Sequence, residues 1–301
     1  MNPSRRSAIF LGAASLAAVS LGGCGRSEED EDRIIISGAS GNLGGLTVQA
    51  LLDLGVDPHR LILVSRTPAT LAEYASLGAA TRYGDFSEPD SLPAAYAGGK
   101  HMLLISIGGG NLPESRPVMH KRAIDAAIAA GVEQIAYTSW AAISQGDTAG
   151  ISVDHVATEE ILRQSGVAWT FLRNSVYMDG ITDQAATMVR DGRAVVPSQD
   201  VGMGYVTRAD CAAAAAAVLS TPGHENRIYD VTGPEVVGTR EIAEAAAAVS
   251  GRPVEIIAGD AGGGTGFAIP SLGFVTGDFE TLTGRRPTSV RELLEANRDR
   301  L

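Results

Sequence analysis

Three groups of residues have the types and spacing to do chemistry. The first is Gly38-Ala39-Ser40-Gly41-Asn42-Leu43-Gly44, a G-x-x-G-x-x-G run between the apolar triplet Ile34-Ile35-Ile36 and a helical pattern. Its first glycine permits a tight turn, its second lets a phosphate approach the backbone, and its third lets helix and strand pack closely. The helix it opens presents free N–H groups and a partial positive charge to a pyrophosphate. A glycine triplet alone says little, but in this strand–turn–helix setting it reads as a dinucleotide fingerprint. Gly38, Ser40, Gly41, Asn42, Leu43 and Gly44 are therefore expected to hold a dinucleotide.

The second group is Val64-Ser65-Arg66-Thr67. It lies about 20 residues further on, where an NAD-binding chain carries an acid that bonds the ribose. There is no acid here. Arg66 can pair a 2′-phosphate and stack on adenine, so NADP(H) is expected over NAD(H). Asp85 and Phe86 follow the third strand, on the adenine side, and Ser106, Ile107 and Gly108 close the fourth, on the ribose and nicotinamide side. Ligands of such sheets collect at the C-terminal strand ends, which makes these five residues part of the expected site.

The third group is His155-Val156-Ala157-Thr158-Glu159, on a helix after the fifth strand. His155 and Glu159 stand i, i+4 and share a helix face, so the carboxylate could orient the imidazole or hold its proton. Tyr137, Thr138 and Ser139 end the fifth strand and Asn174 follows the sixth. His155, Tyr137 and Asn174 are the catalytic candidates. The chain also contains Tyr96-Ala97-Gly98-Gly99-Lys100, the spacing of a tyrosine acid and the lysine that lowers its pKa. That match precedes the fourth strand, at the sheet edge opposite the nicotinamide side, and is not expected to act.

The elements that must position these groups alternate. Short apolar runs at Ile34–Ile36, Leu61–Val64, Ala80–Tyr83, Met102–Ile107, Gln134–Thr138 and Ala168–Leu172 are separated by helical patterns. Continuous apolar strands mean burial on both faces, and strand–helix alternation gives a parallel sheet. The expected fold is α/β, a Rossmann doubly wound parallel sheet over residues 33–175 with a smaller C-terminal substrate lobe over 176–301.

Before the body lies a different kind of sequence. Arg5 and Arg6 precede sixteen uncharged residues, Ala8–Gly23, and Leu21-Gly22-Gly23-Cys24 follows the form of a lipobox. Sixteen residues are short for a membrane span of about 20. Residues 1–23 read as a signal peptide of twin-arginine type, and 24–32 as an acidic tether. The expected location is the cell envelope or periplasm, with a lipid on Cys24 as the membrane contact.

Composition removes other classes. With 45% hydrophobic and 20% charged residues the chain can build an ordinary core. Twenty-four Lys and Arg against 35 Asp and Glu give −11, a field that repels nucleic-acid backbones. Two cysteines make no disulfide framework, the five histidines have no zinc spacing, and no metal is expected. Cys211, inside an alanine-rich helix, reads as a small buried residue.

With these residues in hand, the chain resembles the NmrA-like atypical short-chain dehydrogenase/reductases, and within them the bacterial NAD(P)H:quinone oxidoreductase branch. The stretches that carry the resemblance include GASGNLGG at 38–45, LILVSRTPA at 61–69, RYGDF at 82–86, LLISIGG at 103–109, AIDAAIAAGVEQIAYTS at 123–139, WTFLRNSVYMD at 169–179 and TRADCAAAAAAVL at 207–219. The resemblance implies a Rossmann core, a bound dinucleotide, a His and a Glu at 155 and 159, and a substrate pocket walled in part by the Gly-rich stretch between Ile257 and Phe274. It implies an oxidoreductase that passes hydride from NADPH to a small-molecule acceptor, a quinone or a similar conjugated compound. Two other readings stay open. The missing Tyr/Lys pair also suits a non-catalytic NADP(H)-binding sensor or scaffold of the envelope. An epimerase or dehydratase that recycles a tightly held cofactor would suit export, because twin-arginine export carries folded proteins.

Overall fold

The computed structural model describes residues 32–108, 112–259 and 269–301. The expected leader, lipobox and most of the acidic tether lie outside the described residues, as do Gly109 and most of the Gly-rich stretch before Phe274. Residues 32–301 form one compact unit.

Nine strands are present among the described residues: β1 (Ile34–Ser37), β2 (Leu61–Ser65), β3 (Ala80–Tyr83), β4 (His101–Leu104), β5 (Gln134–Trp140), β6 (Ala168–Asn174), β7 (Arg193–Val196), β8 (Arg227–Val231) and β9 (Glu255–Ala258). Seven of them make one sheet in the order β3-β2-β1-β4-β5-β6-β8, and every pairing is parallel. The order reverses between β1 and β4, which opens a crevice at their C-terminal ends. This is the expected doubly wound Rossmann sheet.

The apolar triplet explains its own burial. Ile34 and Ile36 face one layer and Ile35 the other, and all three are fully buried. On the first face lie α1 (Asn42–Asp53) and α7 (Arg208–Ser220), and on the second α3 (Leu92–Tyr96), α4 (Arg116–Ala129) and α5 (Ile151–Gln164). The alanines of α7 are good helix formers with little bulk, so this helix sits close against α1, with Cys211 buried among them. Thr207 caps α7 by accepting from Asp210 N at 3.0 Å. The Asp210 carboxylate in turn takes Arg285 Nη2 at 2.8 Å and Thr288 N at 2.9 Å, tying α7 to the C-terminal segment.

The sequence division between 175 and 176 is crossed by the structure. β8 is the seventh strand of the main sheet, paired with β6 from Thr170↔Arg227 to Asn174↔Val231, and α7 covers that sheet. A separate small core is built by α6 (Ile181–Asp191), α8 (Thr239–Ser250) and α10 (Val290–Ala296) around Met188, Ile242 and Leu294, beside the β7–β9 pair. The chain thus leaves the main sheet after β6, returns to it for α7 and β8, and leaves again.

Candidate cofactor-binding and active site

The glycine turn has the geometry its residues dictate. Gly38 sits at φ 97°, where a side chain is strained. Gly38 N and Ala39 N both donate to Val64 O at 3.0 Å, which pins the turn over the end of β2. A Cβ on Gly44 would lie 2.2 Å from Gly38 O and 2.8 Å from Ala39 Cα, so the approach of α1 to the turn requires glycine there. No side chain caps α1 at Gly41, and its first turn holds no acid. The first N–H groups of the helix are left for an anion.

Two cavities flank this turn. One, of about 430 Å³, is lined by Ser40, Ser65, Arg66, Asp85, Phe86 and Ser87, among others. The other, of about 370 Å³, is lined by Gly41–Gly44, Trp140, His155, Asn174, Ser175 and Tyr177, among others. Ile105, Ser106, Ile107 and Gly108 are a wall of both. Every residue expected at the cofactor site lines one cavity or the other. A dinucleotide has this division: two nucleoside halves joined by a diphosphate, with the uncapped helix between them.

Each half is braced. Ser40 Oγ and Ser65 Oγ share a hydrogen bond of 2.6 Å across the mouth of the first cavity. The Asp85 carboxylate accepts from Ser87 N at 2.8 Å and Ser87 Oγ at 2.7 Å, closing the loop after β3. Arg66 is exposed and joins no salt bridge among the described residues, so its guanidinium is available to a phosphate. The shared wall is held from three sides. Ser106 N donates to Thr138 Oγ1 at 2.8 Å, Ile107 N to His120 Nε2 at 3.1 Å, and Arg116 Nε to Ile107 O at 2.9 Å.

The second cavity carries a chemical signature. Trp140 Nε1, Asn174 Oδ1 and Ser175 Oγ are buried without a hydrogen-bond partner among the described residues. An unpaired buried polar group costs about 1–3 kcal/mol. All three residues line the same cavity, but the three atoms themselves are closed off from solvent, so a ligand there reaches them only when these side chains turn toward it. Together with the uncapped α1, these residues suit a dinucleotide whose nicotinamide lies on this side.

The catalytic candidates are partly brought together. His155 is 4% exposed and lines the second cavity, and Asn174 lines it beside Tyr177, whose hydroxyl lies 3.4 Å from Asn174 Nδ2. Tyr137 is fully buried and is not a lining residue; its hydroxyl lies 2.8 Å from His155 Nδ1. Tyr137 therefore reaches a ligand only through His155, a correction to its place among the catalytic candidates. Burial, with the Arg116 charge nearby, pushes the His155 pKa down to about 4 against the opposing pull of Glu159. The ring is neutral at neutral pH. Burial likewise pushes His120 down to about 3.

The expected pairing of His155 with Glu159 does not form. Glu159 is 1% exposed and accepts from Ser139 Oγ at 2.6 Å, from Arg173 Nε and Nη2 at 2.9 and 2.7 Å, and from Arg163 Nη2 at 3.0 Å. One residue in β6, Arg173, takes the carboxylate that the helix spacing alone offered to the imidazole. The Ser139 hydrogen is committed to Glu159 as well, so this serine is not a proton donor to the cavity. The Tyr96 and Lys100 match forms no pair, but it does not lie at the expected sheet edge: Tyr96 is buried with its hydroxyl 3.2 Å from Ser37 Oγ of the central strand β1, and Lys100 pairs with Glu133.

Sequence reasoning missed Trp140, Ser175, Tyr177, Arg116 and Arg208, all of which line the second cavity. Trp140 and Ser175 each stand one residue from a position already singled out, at the C-terminal ends of β5 and β6. Arg116 and Arg208 each open a helix after such a strand end or loop, and nothing in the local sequence marks them. A third cavity of about 690 Å³ is lined by α6 and β7 residues of both kinds, Ile181, Met188 and Val195 beside Gln184, Asp191 and Arg193, and it shares Tyr177 with the second. The Arg208 guanidinium lies 4.4 Å over the Tyr177 ring and pairs with Asp179, which fixes this partition.

Comparison with known proteins agrees with this geometry. Residues 38–222 match the family model described as NAD(P)H-binding. The chain is 33% identical over 223 residues to quinone oxidoreductase 2 of Escherichia coli, covering 73% of this chain and 76% of that one. It is 28% identical over 225 residues to an NAD(P)H azoreductase of Xenophilus azovorans, covering 75% and 76%. The crystal structure of the Escherichia coli NADPH-dependent quinone oxidoreductase in complex with NADPH superposes with a TM-score of 0.76 at 28% identity, over 88% of this chain and 99% of that one. A parallel sheet that switches direction at an uncapped, glycine-lined helix, with these relatives along its length, places the chain in the NAD(P)H-binding family, as an NmrA-like oxidoreductase related to the quinone oxidoreductases.

Proposed function

We propose that the protein transfers a hydride from NADPH to quinones or to similarly conjugated acceptors, azo compounds among them. The observation that carries this reading is the pair of cavities on either side of the α1 N-terminus, the second of which shares Tyr177 with a third, larger cavity. The first-turn amides of α1 take the diphosphate. Arg66 takes the 2′-phosphate, which makes NADPH the preferred dinucleotide. Asn174, Ser175 and Trp140 line the nicotinamide side. Bound there, NADPH supplies the hydride.

An acceptor conjugated through its ring suits a site without the Tyr/Lys pair. Hydride adds to the conjugated system, the electron pair moves to an oxygen or nitrogen of the acceptor, and solvent completes the protonation. Reduction of an isolated carbonyl needs a proton donor of suitable pKa at the reacting oxygen. His155, neutral and held low, is not such an acid. Steady-state oxidation of NADPH by the purified protein, with a panel of benzoquinones, naphthoquinones and azo dyes, tests the reading. Turnover with at least one class is expected; tight NADPH binding with no acceptor oxidising it would leave a sensor or scaffold instead.

We also propose that the protein is exported folded and anchored through a lipid on Cys24, because Arg5-Arg6, the uncharged stretch and Leu21-Gly22-Gly23-Cys24 stand in the order that such a route needs. Intact mass of the envelope form tests it: loss of residues 1–23 with an acyl addition is expected, and an unprocessed N-terminus in the cytoplasmic fraction refutes it.

A further inference from the structure

The second cavity contains one accessible ring nitrogen whose hydrogen is decided elsewhere in the fold. Beginning at the shared wall, Ile107 N donates to His120 Nε2 at 3.1 Å, so that nitrogen is bare and the His120 hydrogen is on Nδ1. His120 Nδ1 then donates to Thr158 Oγ1 at 3.1 Å, and Thr158 Oγ1 donates to Asp154 O at 2.9 Å. Thr158 has thus spent its hydrogen and accepted one. The next group is Tyr137, whose buried hydroxyl has its hydrogen bond to His155 Nδ1 at 2.8 Å.

Two arrangements of that bond are conceivable. If His155 Nδ1 carried the hydrogen, the phenol oxygen would accept it and the phenol hydrogen would turn to Thr158 or to no acceptor. An imidazole nitrogen is a far stronger acceptor than a threonine hydroxyl already engaged twice, and a stranded buried donor costs about 1–3 kcal/mol. Donation from Tyr137 to Nδ1 strands nothing. It leaves the ring hydrogen of His155 on Nε2, which has no partner among the described residues and is not among the atoms sealed from solvent. The ring lines the cavity beside Asn174 and the α1 N-terminus. The charged groups around it are Arg116, paired with Asp154, and Glu159, paired with Arg173.

We propose that Tyr137 is a positioning residue that holds His155 as its neutral Nε2–H tautomer, and that this N–H donates to the acceptor atom that becomes anionic as hydride arrives. The role rests on the hydride-transfer reading above. NADPH loses a hydride and becomes NADP⁺; the acceptor gains the electron pair at one oxygen, which His155 stabilises by a hydrogen bond without giving up its own hydrogen. Water supplies the proton that completes the hydroquinone. Preorganised donors of this kind act where charge develops, and removal of one typically costs about 10²–10³ in kcat.

The tautomer is read directly by two-bond ¹H–¹⁵N correlation spectra of histidine-labelled full-length protein, with His155 assigned by its absence in His155→Gln. The wild type is expected to show the neutral Nε2–H pattern at pH 7, and Tyr137→Phe a mixture of tautomers. In steady-state assays Tyr137→Phe is expected to lower kcat about tenfold, a smaller effect than outright removal of a preorganised donor because some of the ring population stays productive. The Kd for NADPH is unchanged. His155→Gln, whose side-chain amide keeps a donor near the Nε2 position, retains most of the activity that His155→Ala loses.

An Nδ1–H or protonated His155 at pH 7 overturns the proposal, as does a Gln variant as inactive as the Ala variant, which marks a general acid. If Tyr137→Phe fails to fold, the wild-type spectrum and the two His155 variants still decide. If no acceptor is turned over at all, the hydride-transfer reading and the catalytic half of the proposal fall together, and the spectrum alone decides the tautomer.

Discussion

Gly44 and Gly45 are neighbours at the start of α1, and the structure assigns them opposite responses to the same substitution. A Cβ at Gly44 would meet Gly38 O at 2.2 Å and Ala39 Cα at 2.8 Å, both of them backbone atoms. Carbon contacts are optimal at about 3.5–4.0 Å, so Gly44→Ala forces the helix off the turn by roughly 1 Å. Overpacking of this kind costs about 1–3 kcal/mol, and a clash with fixed backbone belongs near the top of that range. At about 2–4 °C per kcal/mol, the melting temperature should fall by about 6–12 °C. The shift also takes the first-turn amides away from the diphosphate; loss of one hydrogen bond to a charged group, about 1.5–3 kcal/mol, weakens NADPH about tenfold or more.

At Gly45 the nearest atom to a new Cβ is Ala39 O at 3.9 Å, an ordinary contact, so Gly45→Ala should gain the helix-interior difference of about 0.5–1 kcal/mol. Thermal melts and titration calorimetry with NADPH on the two variants make the measurement. A Gly44→Ala protein that melts within about 1 °C of wild type and binds NADPH equally well would refute the reasoning.

Three further outcomes are expected. Arg66→Ala should weaken NADPH about tenfold to hundredfold and leave NADH nearly unchanged, since a guanidinium near a phosphate at the surface is worth about 1–4 kcal/mol; equal losses for both dinucleotides, by calorimetry, would remove Arg66 from the 2′-phosphate. Arg173→Leu leaves the buried Glu159 carboxylate with Arg163 and Ser139 only and should destabilise the fold by about 3 kcal/mol, the low end for a broken buried pair; a urea midpoint at the wild-type value would contradict it. Acid should destabilise the protein through its buried histidines. His120 and His155 ordinarily titrate at 6.5 but are held at about 3 and about 4, so the unfolded chain takes up these protons first. Their contribution is complete above pH 6.5 and is lost as pH falls toward 4, about 3 kcal/mol for His155 by that point. Urea midpoints measured from neutral pH downward should fall over this window, and His155→Gln should flatten the fall; an equally steep fall in that variant counts against a neutral buried ring.

The cofactor half of the site was legible because it is written in local sequence. The glycine turn, Arg66 at the end of β2, Asp85-Phe86 after β3 and Ser106–Gly108 after β4 are each a strand end plus one or two residues, and a parallel sheet collects its strand ends on one side. The second cavity was legible only in part: His155 and Asn174 line it, Tyr137 does not, and Trp140, Ser175 and Tyr177 were not singled out. Helix spacing placed Glu159 beside His155, but the carboxylate turned to Arg173, a partner 14 residues away in sequence and in the next strand. Charge decides this: a bidentate arginine satisfies a buried carboxylate better than a neutral imidazole can. The lobe boundary was misplaced for a related reason. Nothing in Arg227–Val231 distinguishes a strand of the small lobe from the seventh strand of the main sheet; the pairing with β6 does.

The sequence by itself determined the period of the fold, the glycine turn and the absence of an acid where an NAD-specific chain would place one, because each depends on neighbours in the chain. The tertiary structure alone decided which nitrogen of His155 faces the cavity and which carboxylates are spent. Those outcomes depend on donors and acceptors that arrive from β5, β6, α4 and α5 at once, and the hydrogen on the His155 ring is assigned only with that of Tyr137 and those of the neighbouring His120 and Thr158.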